Sequence, residues 1–173
     1  MTISATVEER LEGPDATRDL GRRLACALAP ATEGVVTLSG HLGAGKTTLV
    51  KGLAEGLGVA TADEVTSPTF LRLVRYENAD RRVQLVHVDA YRMRGEEDVF
   101  ELGLDEDLAG GAVVAVEWPE MIEDALSTDI LDVTLDHGDE THRTVHIAAG
   151  GPTSSAWLAR LASAAVVEGR PTS

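Results

Sequence analysis

The residues Gly40-His41-Leu42-Gly43-Ala44-Gly45-Lys46-Thr47-Thr48 fit the pattern G-x-x-x-x-G-K-S/T without a mismatch. Glycines at these positions let the backbone turn tightly, so that successive N–H groups point at one anion. A following helix adds the positive end of its dipole, worth roughly half a charge. Lys46 would reach the β- and γ-phosphates of a nucleotide, and the Thr47 hydroxyl would ligate Mg²⁺. Further along, Asp89 closes the apolar run Leu85-Val86-His87-Val88, and Glu117 closes Ala112-Val113-Val114-Ala115-Val116. A strand that delivers an acid at its carboxyl end has the form of a Walker B element, because α/β sheets bind ligands at that edge. Asp89 would hold Mg²⁺ indirectly or through water, and Glu117 would orient or deprotonate an attacking water.

These groups need strands and helices to position them. Val35, Val36 and Leu38 form a buried strand before the loop, and Leu49, Val50, Leu53, Ala54 and Leu57 share one face of a helix that Gly58 stops. Upstream, residues 3–7 make a short candidate strand. Asp15 or Thr17 can cap a helix with Leu20, Leu24, Ala27 and Leu28 inward, ending near Pro30. Residues 61–67 are polar and unpatterned. Pro68 pushes Ser67 out of helical geometry, so 69–76 and 82–88 read as an antiparallel hairpin around Glu77-Asn78-Ala79-Asp80-Arg81. Residues 95–108 read as one acidic helix with Val99, Leu102 and Leu104 inward, and 112–116 as a strand buried on both faces. A second hairpin, 130–135 with 144–147, has one solvated face. After Gly150-Gly151-Pro152, a helix over 154–166 docks through Trp157, Leu158 and Leu161, and the last residues are loose.

At 173 residues the chain reads as one domain, long enough to bury about 70% of its unfolded surface. Residues 1–13 form an extension with a candidate edge strand, 14–150 the nucleotide-binding body, and 151–173 a helix and tail of the same domain. The single cysteine, Cys26, excludes an internal disulfide and reads as a small apolar residue packed in the first helix. With no long apolar run or signal peptide, the expectation is a cytoplasmic protein with no membrane contact. The net charge of −14 argues against direct binding to a phosphate backbone. It fits either simple solubility or an acidic face that docks on a basic partner.

Five motifs occur in order: Ala16-Thr17-Arg18-Asp19-Leu20-Gly21, the glycine-rich loop, Ser67-Pro68-Thr69-Phe70, His87-Val88-Asp89-Ala90-Tyr91-Arg92 and Glu117-Trp118-Pro119-Glu120. In this combination the chain resembles the TsaE (YjeE) family of small bacterial P-loop ATPases, over about residues 14–150. The resemblance implies an α/β, P-loop NTPase-like three-layer fold with a mixed, largely parallel central sheet and antiparallel hairpins. It implies an ATPase using ATP and Mg²⁺ in making the threonylcarbamoyl modification of the tRNA adenosine beside the anticodon. Its partners would be TsaD and TsaB, with TsaD transferring the threonylcarbamoyl group and the tRNA met only through them. By position, Lys46, Thr47 and Thr48 carry over as phosphate and Mg²⁺ contacts, Asp89 as the Walker B acid and Glu117 as a catalytic or second metal-site carboxylate. Thr69 carries over as a switch residue sensing the γ-phosphate, and Thr17 and Trp118 as neighbours of the nucleotide.

Two positions depart from the family pattern. His41 stands where the family usually has an acid, and Asp107 where it often has an aromatic residue. Some readings stay open on the residues alone. His87 is either a hydrogen-bond support for the site or a satisfied core histidine, and Tyr91 and Arg92 contact nucleotide or partner or belong to an ordinary loop. A nucleotide-gated binding module and a small-molecule kinase, with Arg92 and Arg94 as lid residues, are the rival functions. No N-K-x-D motif follows the loop, which disfavours GTP.

Overall fold

The computed structural model describes residues 5–28, 34–126, 128–139 and 141–167. Its elements are β1 (Thr6–Glu12), α1 (Gly13–Leu28), β2 (Gly34–Ser39), α2 (Lys46–Leu57), β3 (Leu73–Glu77), β4 (Val83–Asp89), α3 (Glu96–Leu102), α4 (Leu104–Ala109), β5 (Val113–Glu117), β6 (Ile130–His137), β7 (His142–Ala149) and α5 (Pro152–Val167). The strands form one sheet in the order β1-β7-β6-β2-β5-β4-β3. At its centre β6, β2, β5 and β4 run parallel. At the edges β3, β7 and β1 pair antiparallel. The fold is therefore α/β with a mixed sheet, with parallel and antiparallel pairings in equal number.

Side-chain alternation builds the layers. Val36 and Leu38 of β2, with Val113 and Ala115 of β5, face one core, where Leu20 and Leu24 of α1, Leu49 and Leu53 of α2, and Trp157, Leu158 and Leu161 of α5 close over them. Val35, Val114 and Val116 face the other way, against Val86, Val88, Met93, Leu104 and Ile122. The continuous apolar run of β5 is thus buried on both sides, as a central parallel strand requires. Helices α1 and α2 touch backbone to backbone. A β-carbon at Gly52 would stand 1.8 Å from the Arg18 carbonyl oxygen, and one at Gly21 2.2 Å from that of Leu49. This close contact brings the start of α1 beside the start of α2, and so beside the glycine-rich loop.

Several local expectations need correction. The first strand is Thr6–Glu12, not 3–7; Ile3 lies outside the described residues, and Leu11 is the position that alternation buries. Helix α1 begins at Gly13, ahead of Asp15 and Thr17, while Pro30 lies outside the described residues. Cys26 is exposed, because it falls off the stripe formed by Leu20, Leu24, Ala27 and Leu28. The single helix expected over 95–108 is two, broken where Gly103 takes a left-handed conformation (φ 70°). Strand β3 starts at Leu73 rather than at residue 69, for reasons that belong to the site below. The expected loose tail falls outside the described residues from position 168.

Helix α5 begins at Pro152, and Asp129 anchors its first turn. The carboxylate accepts hydrogen bonds from Ser154 Oγ (2.7 Å), Ser154 N (2.9 Å) and Thr153 N (2.8 Å). Partial burial opposes the charge of Asp129, but these bonds outweigh it and hold the pKa down to about 2. A lowered carboxylate pKa contributes stability above the ordinary value of 3.8, and that stability is lost as pH falls through about 2. Asp129→Ala is expected to cost about 1 kcal/mol, or a fall of about 2–4 °C in Tm at neutral pH. In melts from pH 7 down to pH 2, the gap between wild type and variant should shrink below pH 4. A gap that stays constant over this range would remove the charged cap from the account.

Candidate functional site

Strand β2 ends at Ser39 and hands the chain to a loop that closes on itself. The Ala44 N–H donates to the His41 carbonyl (3.0 Å), and Gly40, Gly43 and Gly45 take φ values of 142°, 78° and 107°. A β-carbon at Gly40 would lie 2.5 Å from the Leu135 carbonyl oxygen, so packing as well as backbone angle calls for glycine there. The Lys46 ammonium folds back to donate to the carbonyls of Gly40 (2.6 Å) and His41 (2.9 Å), and lies 4.1 Å from the ring centre of Trp118. Burial lowers its pKa, against the opposing pull of Glu117, Glu120 and Asp89.

The two strand-end acids are neighbours. The parallel register of β4 and β5 sets Asp89 beside Glu117, and that of β2 and β5 sets Leu38 beside Glu117. Both carboxylates are buried. Glu117 Oε1 accepts the Thr47 hydroxyl (2.8 Å) and stands 2.8 Å from His87 Nε2. His87 is fully buried and its Nδ1 has no partner among the described residues, so Nε2–H is the donor to Glu117. The histidine left open by the sequence thus supports Glu117 directly.

Asp89 Oδ2 accepts hydrogen bonds from Thr69 Oγ1 (2.9 Å) and Ser67 Oγ (3.3 Å), while Oδ1 accepts the Tyr91 N–H (3.0 Å). This explains the late start of β3. The Arg72 N–H donates to the Pro68 carbonyl (2.7 Å), Arg72 takes φ 66°, and its carbonyl accepts the Asp89 N–H (2.9 Å). Residues 68–72 therefore curl into a turn that brings Thr69 to the acid instead of running as strand. Trp118 also adopts a left-handed conformation (φ 59°), and its ring lies 5.2 Å from that of Tyr91.

A cavity of about 350 Å³ is lined by Leu42, Gly43, Gly45, Lys46, Thr47, Thr48, Ser67, Thr69, Asp89, Glu117 and Trp118. Most of the expected site residues are therefore brought together. Gly40 and His41 instead supply carbonyls to Lys46, and the Ala44 side chain packs in the core. Thr17 is buried and donates to the Gly13 carbonyl (3.3 Å), with its methyl group beside Gly45. Ser67 joins Thr69 on Asp89, a contact signalled only by its place two residues earlier in the same motif. Asp107, one of the departures from the family pattern, holds Arg75 through both carboxylate oxygens (2.8–3.0 Å). A larger cavity, about 440 Å³, lies against Thr37, Glu120, Glu123 and Asp132 and contains none of the expected site residues.

The described residues contain no group of three or more His, Cys, Asp or Glu able to hold a metal ion. The side chains expected to hold Mg²⁺, the Thr47 hydroxyl and the Asp89 and Glu117 carboxylates, all line the smaller cavity. Such a set fits Mg²⁺, which keeps water and phosphate oxygens in its shell and takes one or two carboxylates from the protein. No described helix is long and apolar enough to cross a membrane.

The chain is similar to known proteins over most of its length. Residues 11–145 match the family model described as threonylcarbamoyl adenosine biosynthesis protein TsaE. A Streptomyces coelicolor tRNA threonylcarbamoyladenosine biosynthesis protein TsaE is 45% identical over 137 residues, covering 78% of this chain and 89% of that protein. Its Bacillus subtilis counterpart is 38% identical over 142 residues, covering 82% and 85%. The crystal structure of Bacillus subtilis YdiB superposes with a TM-score of 0.75 at 32% identity, covering 95% of this chain and 99% of that one. On the family match and the identity with these relatives, the chain belongs to the TsaE family of threonylcarbamoyl adenosine biosynthesis proteins.

Proposed function

We propose that this chain binds and hydrolyses ATP with Mg²⁺ in the cavity between the glycine-rich loop and the ends of β4 and β5. We place this activity in tRNA threonylcarbamoyladenosine formation, alongside TsaD and TsaB. One observation carries the reading: Lys46, Thr47, Thr69, Asp89 and Glu117 come from four separate stretches of chain and line one cavity. The loop amides and the start of α2 would bind the phosphates, and Lys46 would neutralise the β–γ end. Mg²⁺, held by Thr47 and Asp89 with Glu117 close by, would stabilise charge developing on the phosphate oxygens. Glu117, kept in place by His87, would orient water for attack on the γ-phosphorus. Thr69 would sense the γ-phosphate by exchanging its hydrogen bond to Asp89.

The rim of the cavity supports the partner assignment. Leu42 is 88% exposed, Phe70 85% and Tyr91 56%, an apolar fringe suited to docking another protein. With ATP labelled in the γ position, label should appear as free phosphate, faster once TsaD and TsaB are added. Omitting the chain from a reconstituted tRNA modification reaction should stop product formation. Label transferred to a small acceptor would favour a kinase. Absence of turnover with or without the partners would favour a nucleotide-gated binding module.

A further inference from the structure

Side-chain alternation leaves one part of the sheet open. Val133 and Leu135 of β6, with Val145 and Ile147 of β7, point into the core that α1, α2 and α5 close. On the opposite face, the second core reaches β6 only at Ile130. Past it, Asp132, Thr134 and Asp136 of β6 lie beside Ala148, His146 and Thr144 of β7, and Thr6, Glu8 and Arg10 of β1 follow. Of the described helices, α1 and α5 pack on these outer strands, both from the first face.

Where this open face meets the segment after β5, there is a groove of about 440 Å³. Leu126, Ile130 and Ala148 give it an apolar lining, and Glu120, Glu123 and Asp132 stand around it. The Asp132 carboxylate is fixed in direction, Oδ1 accepting the Thr37 hydroxyl (2.6 Å) and Oδ2 that of Thr134 (3.4 Å). Hydroxyl groups hold a carboxylate in place but leave its charge uncancelled. Elsewhere the chain pairs its acids: Arg18 meets Glu55, Arg23 meets Glu9, Arg72 meets Asp98 and Arg75 meets Asp107. Among the described residues, no Lys or Arg pairs with Glu120, Glu123 or Asp132. Carboxylates set around an apolar lining complement a long aliphatic stem that ends in a cation, the form of an arginine or lysine side chain. Met121, in the same turn as Glu120, is exposed and offers an adaptable apolar contact beside them.

We propose that this groove docks a segment of a partner protein carrying arginine or lysine beside apolar residues, with a basic stem against Ile130 and Ala148 and its charge among the three carboxylates. The groove shares no lining residue with the nucleotide cavity, so the ATP reading is not needed for it. The probe is a fluorescent peptide that alternates arginine with leucine, read by anisotropy against the full chain. About 0.15 M salt largely screens charges more than about 8 Å apart, so a bulk attraction to the acidic chain is suppressed. The peptide should bind, and its counterpart with glutamate in place of arginine should not. Glu123→Gln combined with Asp132→Asn keeps the shape of both side chains and should weaken binding about tenfold. Ala148→Trp fills the groove at constant charge and should weaken it as much. Glu77→Gln combined with Asp80→Asn removes two exposed charges at the opposite edge of the sheet, and should change the Kd less than about twofold. The two charge pairs decide the matter alone if Ala148→Trp does not fold. Equal losses in both pairs overturn the assignment, by reducing the attraction to net charge. An unchanged Kd in a folded Ala148→Trp, or in Glu123→Gln with Asp132→Asn, overturns it by putting the peptide elsewhere. Failure of the arginine peptide to bind overturns it too, as does its displacement by spermidine at equal concentration, which would make the groove a polyamine site.

Discussion

Lys46→Ala is expected to erase the thermal stabilisation that the proposed binding of ATP would give this chain. At about 100 times its Kd, a ligand of the native state adds roughly 2.7 kcal/mol, a Tm rise of about 5–11 °C for a chain of this size. Lys46 is only 4% exposed, and the hydrogen bonds of its ammonium go to two loop carbonyls rather than to a carboxylate. Its charge is thus desolvated and held where a β–γ phosphate group would lie, and truncation removes the main counter-charge. The variant should remain folded. Burial lowers the pKa of Lys46, so the unfolded chain binds that proton more tightly than the folded one, and the charged amine detracts from stability at neutral pH. The carbonyls it leaves belong to Gly40 and His41, at the partly exposed tip of the loop, where water can replace the ammonium. The ligand-free Tm of the variant should therefore stay near that of wild type while the ATP-dependent rise disappears. A rise of wild-type size in Lys46→Ala would place the nucleotide elsewhere.

The loop and both strand-end acids were legible in the sequence because each is a short, contiguous pattern with its own chemistry. Their mutual placement was not. Asp89 lies beside Glu117 because β4 and β5 pair in parallel register, and Thr47 meets Glu117 across 70 positions of sequence. The same long-range logic decides His87, whose apolar neighbours suit a core histidine equally well until β5 supplies its carboxylate. Local errors have the same origin. Residues 69–72 have the composition of a strand, but Asp89 captures the Thr69 hydroxyl and the Arg72 carbonyl and turns the chain. Val99, Leu102 and Leu104 all point inward, as one helix would have them, yet Gly103 reverses its backbone angle between two short ones.

Glu117→Gln is expected to separate binding from turnover. The substitution keeps the shape of the side chain and an oxygen that can accept from both Thr47 and His87, so the geometry at the end of β5 should persist. The negative charge is what disappears. Glu117 is 3% exposed and has no salt bridge to a Lys or Arg among the described residues, so neutralising it relieves a desolvation cost and the Tm should hold or rise. Under the proposed mechanism the carboxylate orients and deprotonates the attacking water, a contribution worth about 10²–10⁴ in rate. ATP turnover by the chain in the presence of the proposed partners should accordingly fall at least about 100-fold while ATP affinity changes little. Asp89→Asn should behave differently, blunting the Mg²⁺ dependence of hydrolysis and weakening the hold on Thr69, because Asp89 and not Glu117 receives the hydroxyls of Ser67 and Thr69. The decisive measurement is single-turnover release of labelled phosphate at saturating MgATP. Wild-type rates in Glu117→Gln would remove Glu117 from the chemistry and leave it a structural partner of Thr47 and His87. A large loss of ATP affinity with the rate preserved would recast it as a ligand of the metal–nucleotide complex alone.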